Sequence, residues 1–309
     1  MSSPQTAPNP QQPVSTTPSA AVAAPAPVTT GGDGGGGGTG RAPASPLKRG
    51  TALVIAVIVT AIYYVGVSGK LSATNSWMWT MGLLIVLCLY LGSVISGRAL
   101  GIFIGSRNLM SLSRFQMVAW SIVIISGFLT IAFRRIVLLG NADPFKIAMD
   151  PHLWALLGIS TASLVGTPLI LQNKTTKDPD PKAVAQTATA LQASGGQVAE
   201  TSASIEAHRQ GNLYVNPSIT DARFTDMFEG DEVGNTAYVD IAKVQMFLFT
   251  VLTIVAYCFA IYHLLVGLPS KPTDADLQMP PLSQGFIALL GISHAGYLGS
   301  KTADHTPTK

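Results

Sequence analysis

Chemistry inside the apolar stretches of this chain has few residues to work with. Among their polar side chains are Gln116, Ser121, Ser126 and Thr130; Ser160, Thr161, Ser163 and Thr167; Gln245, Thr250 and Thr253; and Ser293 with His294. None is a carboxylate. Carriers coupled to protons or sodium keep Asp or Glu at membrane depth, because an ionisable group there is costly and retained for function. A proton pump or charged ion relay is therefore disfavoured, and hydroxyls, amides and backbone carbonyls remain as a lining. His294 is the one titratable side chain well inside such a stretch. It suits pH sensing or proton relay, although a neutral histidine bonded to a backbone carbonyl is the commoner outcome. Ser293 beside it does not complete a nucleophile and base, because adjacent residues on a helix point in different directions. Gln116 and Gln245 each stand one turn into their segment. They form either a symmetric pair of amides at a pore mouth or, as we prefer, hydrogen bonds to neighbouring helices worth about 0.6 to 2 kcal/mol.

Outside these stretches Asp226, Glu229, Asp231 and Glu232 gather acidic charge. They lack the alternating ligands and closing Glu of a calcium loop, so a solvated acidic face is expected. Cys88 and Cys258 both fall in apolar segments and offer no disulfide framework, metal cluster or CxxC motif. No phosphate-binding loop, zinc spacing or dinucleotide fingerprint is present. We expect no catalytic residue, no metal, no cofactor and no enzyme.

The elements that must position these groups follow from composition. Apolar residues make up 48% of the 309 and charged residues 11%, where about a quarter is usual for a solvated globular surface. Six windows of about 19 residues lack Asp, Glu, Lys and Arg: 51–69, 77–97, 115–133, 153–171, 244–262 and 282–300. Each approaches the roughly 20 helical residues that cross a bilayer. An all-α polytopic membrane protein with six transmembrane helices is expected, the sixth being rich in Gly and Ser. With the N-terminus in the cytoplasm, fourteen Lys and Arg fall inside and five outside. That balance puts both termini in the cytoplasm, in a bacterial inner membrane. Arg134 and Arg135 dissent and could snorkel either way, while Trp77, Trp79 and Trp154 fall at the outer interface. The net charge of +3 is then topology information and not a sign of nucleic-acid binding.

Residues 1–50 are Pro, Ala, Thr, Ser and Gly, a composition expected to be a disordered cytoplasmic tail. Residues 51–110 form an N-terminal hairpin that ends in "RALGIFIGSRNLMSLSR". There Arg98, Arg107 and Arg114 fence an apolar run, which suits either a segment facing anionic headgroups or a plain basic loop. A hairpin over 111–171, a cytoplasmic loop over 172–239, a second hairpin over 240–300 and a C-terminal tail over 301–309 complete the chain. The loop begins as a marginal helix broken at Gly195 and Gly196. Later, Phe224, Met227 and Phe228 share one face of a short helix, with Asp226 and Glu229 on the other.

The two hairpins look like copies. Arg114 to Ser121 matches Lys243 to Thr250 in residue character at an offset of 129, and "ALLGISTASLVG" from Ala155 matches "ALLGISHAGYLG" from Ala288 in eight of twelve letters at an offset of 133. Two parallel repeats imply a pseudo-two-fold axis along the membrane normal, with the N-terminal hairpin packed outside. Gly158, Ala162 and Gly166 recur at four-residue spacing, as do Gly291, Ala295 and Gly299. Small faces let helices approach closely in lipid, so these are the expected seam of a central pair, and Gly291→Leu is expected to destroy folding. Packing is the preferred reading of the stripe. The rival is a transport site, since Gly-interrupted segments at corresponding places of two repeats mark one, and Ser160 and Ser293 would then line it. The expected function is a channel or carrier for a small solute or ion, or else a membrane scaffold or signalling component. The expected partners are the lipid bilayer, further copies of the chain and a cytosolic protein.

Overall fold

A computed structural model describes residues 46–140, 143–193 and 201–309. The tail expected over 1–50 lies almost wholly outside these, and so do Gly195 and Gly196. Among the described residues there are eight α-helices, three short 3-10 turns and no strand. The long helices are α1 (Pro46–Val67), α2 (Ala73–Ser96), α3 (Leu112–Leu139), α4 (Pro151–Gln172), α7 (Ile241–Val266) and α8 (Gln284–Thr302). Between α4 and α7 lie two shorter ones, α5 (Pro181–Ala193) and α6 (Ser202–His208).

The helix starts are written locally. Ser72, Ser111, Asp150, Asp240 and Ser283 each precede a long helix, and each side chain accepts a hydrogen bond from a backbone N–H of the first turn. That contact satisfies a donor the helix cannot, and Pro151 follows its cap where the missing N–H costs nothing. Gly97 and Gly140 close α2 and α3 at φ 72° and 57°, a left-handed conformation that suits glycine.

Five of these helices, α1, α2, α3, α4 and α7, are long and apolar enough to cross a membrane, as an integral membrane protein requires. The sixth and last window, 282–300, is the Gly- and Ser-rich α8, which is not among the five but packs along α4 and α7.

The matching sequence blocks fall at matching places. Arg114 is the third residue of α3 and Lys243 the third of α7, and Ala155 and Ala288 are each the fifth of α4 and α8. The residue contacts, however, do not fit the expected two-fold axis. Helix α3 lies against α7 and α4 against α8, whereas the unlike pairs α3 with α8 and α4 with α7 make no substantial contact. A two-fold rotation would reciprocate every residue contact across these seams. Gln116 donates to Thr250 across the first seam, but Gln245, its counterpart in the other hairpin, is exposed. Ser163 meets His294 at 2.5 Å across the second, while the corresponding Thr161 and Gly296 are exposed. The hairpins therefore stand side by side, like helix against like helix, with different faces of each in the seam.

The expected small-residue seam is corrected by the same geometry. Helix α4 does pack on α8, but through Leu156, Ser163, Leu290 and His294. Gly158, Ala162, Ala295 and Gly299 are exposed, and a Cβ on Gly158 or Gly299 would meet nothing within 4 Å. Only Gly166 and Gly291 border the seam, with room for a Cβ at 3.6 Å from Leu298 and 3.9 Å from Ile159. A polar, hydrogen-bonded stripe has taken the place of the glycine face, because the hydroxyls and the imidazole need partners more than the glycines need proximity.

The core of the helix layer is built around Trp120, Ile131, Leu156, Tyr257 and Ile261, all nearly inaccessible. Trp120 and Tyr257 place their rings 6.2 Å apart, and Tyr257 Oη donates to the Pro280 carbonyl at 3.1 Å. Trp77 belongs to this core and not to an interfacial belt. It is buried and its indole N–H donates to Ser126 Oγ, while Trp79 and Trp154 are exposed. Nor do Arg134 and Arg135 snorkel. Arg134 donates to the Leu71 carbonyl and Ser76 Oγ, and Arg135 pairs with Asp274 at 3.0 Å. Both arginines thus tie the loops at that end of the bundle to α3.

If the seam is as described, Trp120→Ala lowers stability in detergent by about 3 to 5 kcal/mol, and Gly291→Ala changes it by no more than about 0.5 kcal/mol. Thermal melts compare the two. A Gly291→Ala loss as large as that of Trp120→Ala would restore the glycine face as the packing seam.

Candidate functional site

At the end of the bundle where α3 and α7 begin and α4 and α8 finish, residues 173–193 and 201–240 form a cap over the helices. Its anchor is Asp231. Arg107, from the connection between α2 and α3, reaches Asp231 Oδ1 at 2.6 Å, Lys243 of α7 approaches the same oxygen at 3.3 Å, and Lys301 of α8 pairs with Oδ2. Lys301 also meets Asp240 at 2.8 Å. Asp240 holds two more duties, since its other oxygen caps α7 by accepting from Ala242 and Lys243 N–H. Three cations and two carboxylates are thus gathered in one buried cluster. Burial alone would raise the Asp231 pKa, but Lys243, Lys301 and Arg107 outweigh it and hold the carboxyl well below the usual range.

Glu232 anchors the C-terminal tail. Lys174, just past α4, meets its Oε1 at 2.5 Å and also donates to the Ala303 carbonyl. The Glu232 Oε2 accepts the backbone N–H groups of His305 and Thr306 at 3.0 and 2.9 Å. Both partners of the ion pair are buried, and the tail is held in an extended run that bridges to Pro179. Beneath it, Gly211 at φ 58° brings its Cα so near the backbone of Lys174 and Thr175 that a Cβ would clash at 2.4 Å.

The expected solvated acidic face is therefore wrong for three of its four members. Asp226, Asp231 and Glu232 are all at most 7% exposed, and the Phe224–Met227 segment is a 3-10 turn rather than an amphipathic α-helix. Met227 is its buried apolar residue while Phe224 is exposed. Asp226 turns inward because its carboxylate caps two backbone donors, Arg223 N–H at 2.9 Å and Met110 N–H at 3.1 Å. Burial pushes its pKa up to about 6 against the pull of those donors. The basic residues expected at headgroups behave likewise. Arg98 donates to the carbonyls of Ile219, Thr220 and Ala222 and Arg107 to Asp231, whereas Arg114 is exposed.

Between the cap and the helix ends lies a cavity of about 670 Å³. Its walls are the first two turns of α3 and the last two of α4, its floor includes Tyr297 and Lys243, and its rim carries Ser106, Arg114, Gln172 and Gln210. None of the eleven candidate pore or packing residues from the sequence lines it. Gln116, Ser160, Ser293 and His294 are buried between helices; Gly166 and Gly291 border the α4–α8 seam; Gly158, Ala162, Gln245, Ala295 and Gly299 are exposed. The residues that sequence reading missed are Asp231, Lys243, Lys301, Lys174 and Glu232. One signal pointed to them: Lys243 and Lys301 stand within the ends of apolar helices, where a charge needs a partner.

Asp231→Ala leaves three cations without their central carboxylate, and stability in detergent falls by about 3 to 5 kcal/mol, read as a lower melting temperature together with faster proteolysis of the cap. For Asp226 the folded pKa lies above the unfolded one, so its contribution is greatest at acid pH and is lost as the pH rises through about 6. Melts of Asp226→Asn against wild type therefore diverge from pH 4 to 7 in favour of Asn, by up to about 3 kcal/mol; a pH-independent difference contradicts this. No family model, curated protein or solved structure matches the chain, and its own geometry is what a functional reading rests on.

Proposed function

We propose that the protein is a non-enzymatic inner-membrane scaffold or signalling component that presents a folded cytoplasmic cap to a soluble partner. In this reading the chain crosses six times, with α8 as the last span, both termini are cytoplasmic, and the two hairpins descend from a duplication. The observation that carries it is the way the cap is held. Buried ion pairs on Asp231 and Glu232 fasten it to the connection between α2 and α3, to α7 and α8, and to the end of α4. A membrane layer that holds a soluble surface so firmly serves that surface.

The polar groups between the helices favour the same reading over a conduit. Gln116 is engaged with Thr250 and Ser163 with His294, while Thr130, Thr167 and Thr253 donate to carbonyls of their own helices. Side chains bonded in this way are a packing device, whereas a water-filled path would leave them to solvent. Of the buried candidates, Gln116 Oε1 and Ser293 Oγ have no partner among the described residues. A channel or carrier remains the second reading, favoured by the cavity beneath the cap. Self-association and a cytosolic protein partner belong to the proposal as well.

Labelling separates the two readings. With Cys88 and Cys258 replaced, single cysteines at Ser160, Ser293 and the exposed Ser106 are challenged with a membrane-impermeant thiol reagent. The scaffold reading expects Ser106 to label in inside-out vesicles but not in intact cells, and Ser160 and Ser293 to stay unlabelled in both. Labelling at both buried positions would instead indicate a water-accessible seam and a conduit.

A further inference from the structure

We infer that the cavity under the cap is a binding site for an anionic phospholipid drawn from the surrounding bilayer, with the phosphate on Arg114 and an acyl chain between α3 and α4. This goes beyond the scaffold reading and does not depend on it.

Three observations meet here. The first is position: the walls include Leu112, Met117 and Val118 of α3 and Leu164, Pro168 and Gln172 of α4, in the terminal turns of two helices long and apolar enough to span, which is the depth of lipid headgroups. The second is charge. Five charged residues line the cavity, Arg107, Arg114, Lys243, Asp226 and Asp231, three cations to two carboxylates. Arg107 and Lys243 are committed to Asp231, and Asp226 to its two backbone donors. Arg114 alone is exposed, and its guanidinium finds no partner among the described residues. A guanidinium at a headgroup level is matched by a phosphate, which it can hold through two parallel hydrogen bonds.

The third is the character of the walls. Met117 and Val118 on α3 face Leu164 and Pro168 on α4 across the cavity, and Leu169, which is 61% exposed, lies on its outer side. An apolar slot that continues to the lipid-facing surface accepts a chain without a desolvation cost. Ser106, Ser111, Gln172 and Gln210 at the rim supply hydroxyl and amide groups for the rest of a headgroup. A soluble anion would use the guanidinium and leave the slot empty, so the walls favour the lipid as the source of the phosphate.

Native mass spectrometry of the full chain, purified in detergent and supplied with equal amounts of phosphatidylglycerol and phosphatidylcholine, tests this. Wild type is expected to retain one phosphatidylglycerol in preference by about fivefold, the scale set by one basic residue near a membrane surface. Arg114→Gln should bring the two lipids near parity and Arg114→Lys should restore the preference. Val118→Trp, which fills the slot, should reduce retention of both. Equal retention by wild type overturns the inference, as does an unchanged preference in Arg114→Gln. Glycerol 3-phosphate in excess should fail to displace the lipid, and displacement would reassign the site to a soluble phosphate. The wild-type comparison needs no variant, so the result stands even if a substitution impairs folding.

Discussion

The carboxylate of Asp231 is the point on which the cap depends. It sits in a nearly dry position, and it draws cations from the connection after α2, the start of α7 and the end of α8. A charge in such a place is costly unless it is paired and hydrogen-bonded, and a buried pair is often no more stabilising than apolar packing would be. Its use is one of address. An apolar patch would let the cap slide, whereas three cations projecting from separate elements converge on one geometry. Asp240 extends the constraint by capping α7 with one oxygen and holding Lys301 with the other, so the helix start and the ion network are fixed by a single side chain. The Glu232 with Lys174 pair then ties the tail beyond α8 to the end of α4. Together these contacts make a rigid cap from a segment whose own composition offers few large apolar residues.

The same economy explains the asymmetry of the two hairpins. Their matching blocks sit in the same helical register, but side-by-side stacking gives each copy a different neighbour. The face by which α3 meets α7, with Gln116 on it, is the face that leaves Gln245 exposed on α7. Likewise the α4 face bearing Ser163 is buried on α8, while the equivalent Gly296 is exposed. The difference between Thr161 and His294 at matching places of the two blocks has a counterpart in this packing. His294 is on a buried face of α8 and bonds Ser163, whereas Thr161 is exposed and bonds back to the Leu157 carbonyl. The titratable group that distinguishes the two sequence blocks is therefore a structural partner within the seam.

What was legible beforehand follows from the range of each signal. The apolar helices could be read because hydropathy acts over a few residues, and five of them are long and apolar enough to cross a membrane. The two similar sequence blocks were legible as well, and they fall at the same positions of their helices. The cap was not, because Arg107 and Asp231 are 124 residues apart and no periodicity reports that they meet. Acidic residues in a polar loop look solvated until the cations that bury them are placed. Trp77, Arg134 and Arg135 were misread through the same gap: each has the composition of an interfacial anchor, and each is turned inward by a partner from a distant helix or loop. The glycine face was legible as a pattern but not as a contact, since which flank of α4 meets α8 is decided by the polar groups between them.

The central claim is that buried ion pairs hold the cap as a folded surface. Hydrogen exchange on the full chain in detergent measures it most directly, at the amides of Tyr214, Val233 and Asn235, which donate to Asp231, Asn212 and Glu232 carbonyls respectively. Exchange slower than that of an unfolded chain by at least about a hundredfold in wild type, with the protection lost throughout the cap when Asp231 is replaced by Ala, is the result predicted. Unprotected exchange at these amides in wild type, or protection indifferent to that substitution, would contradict the account.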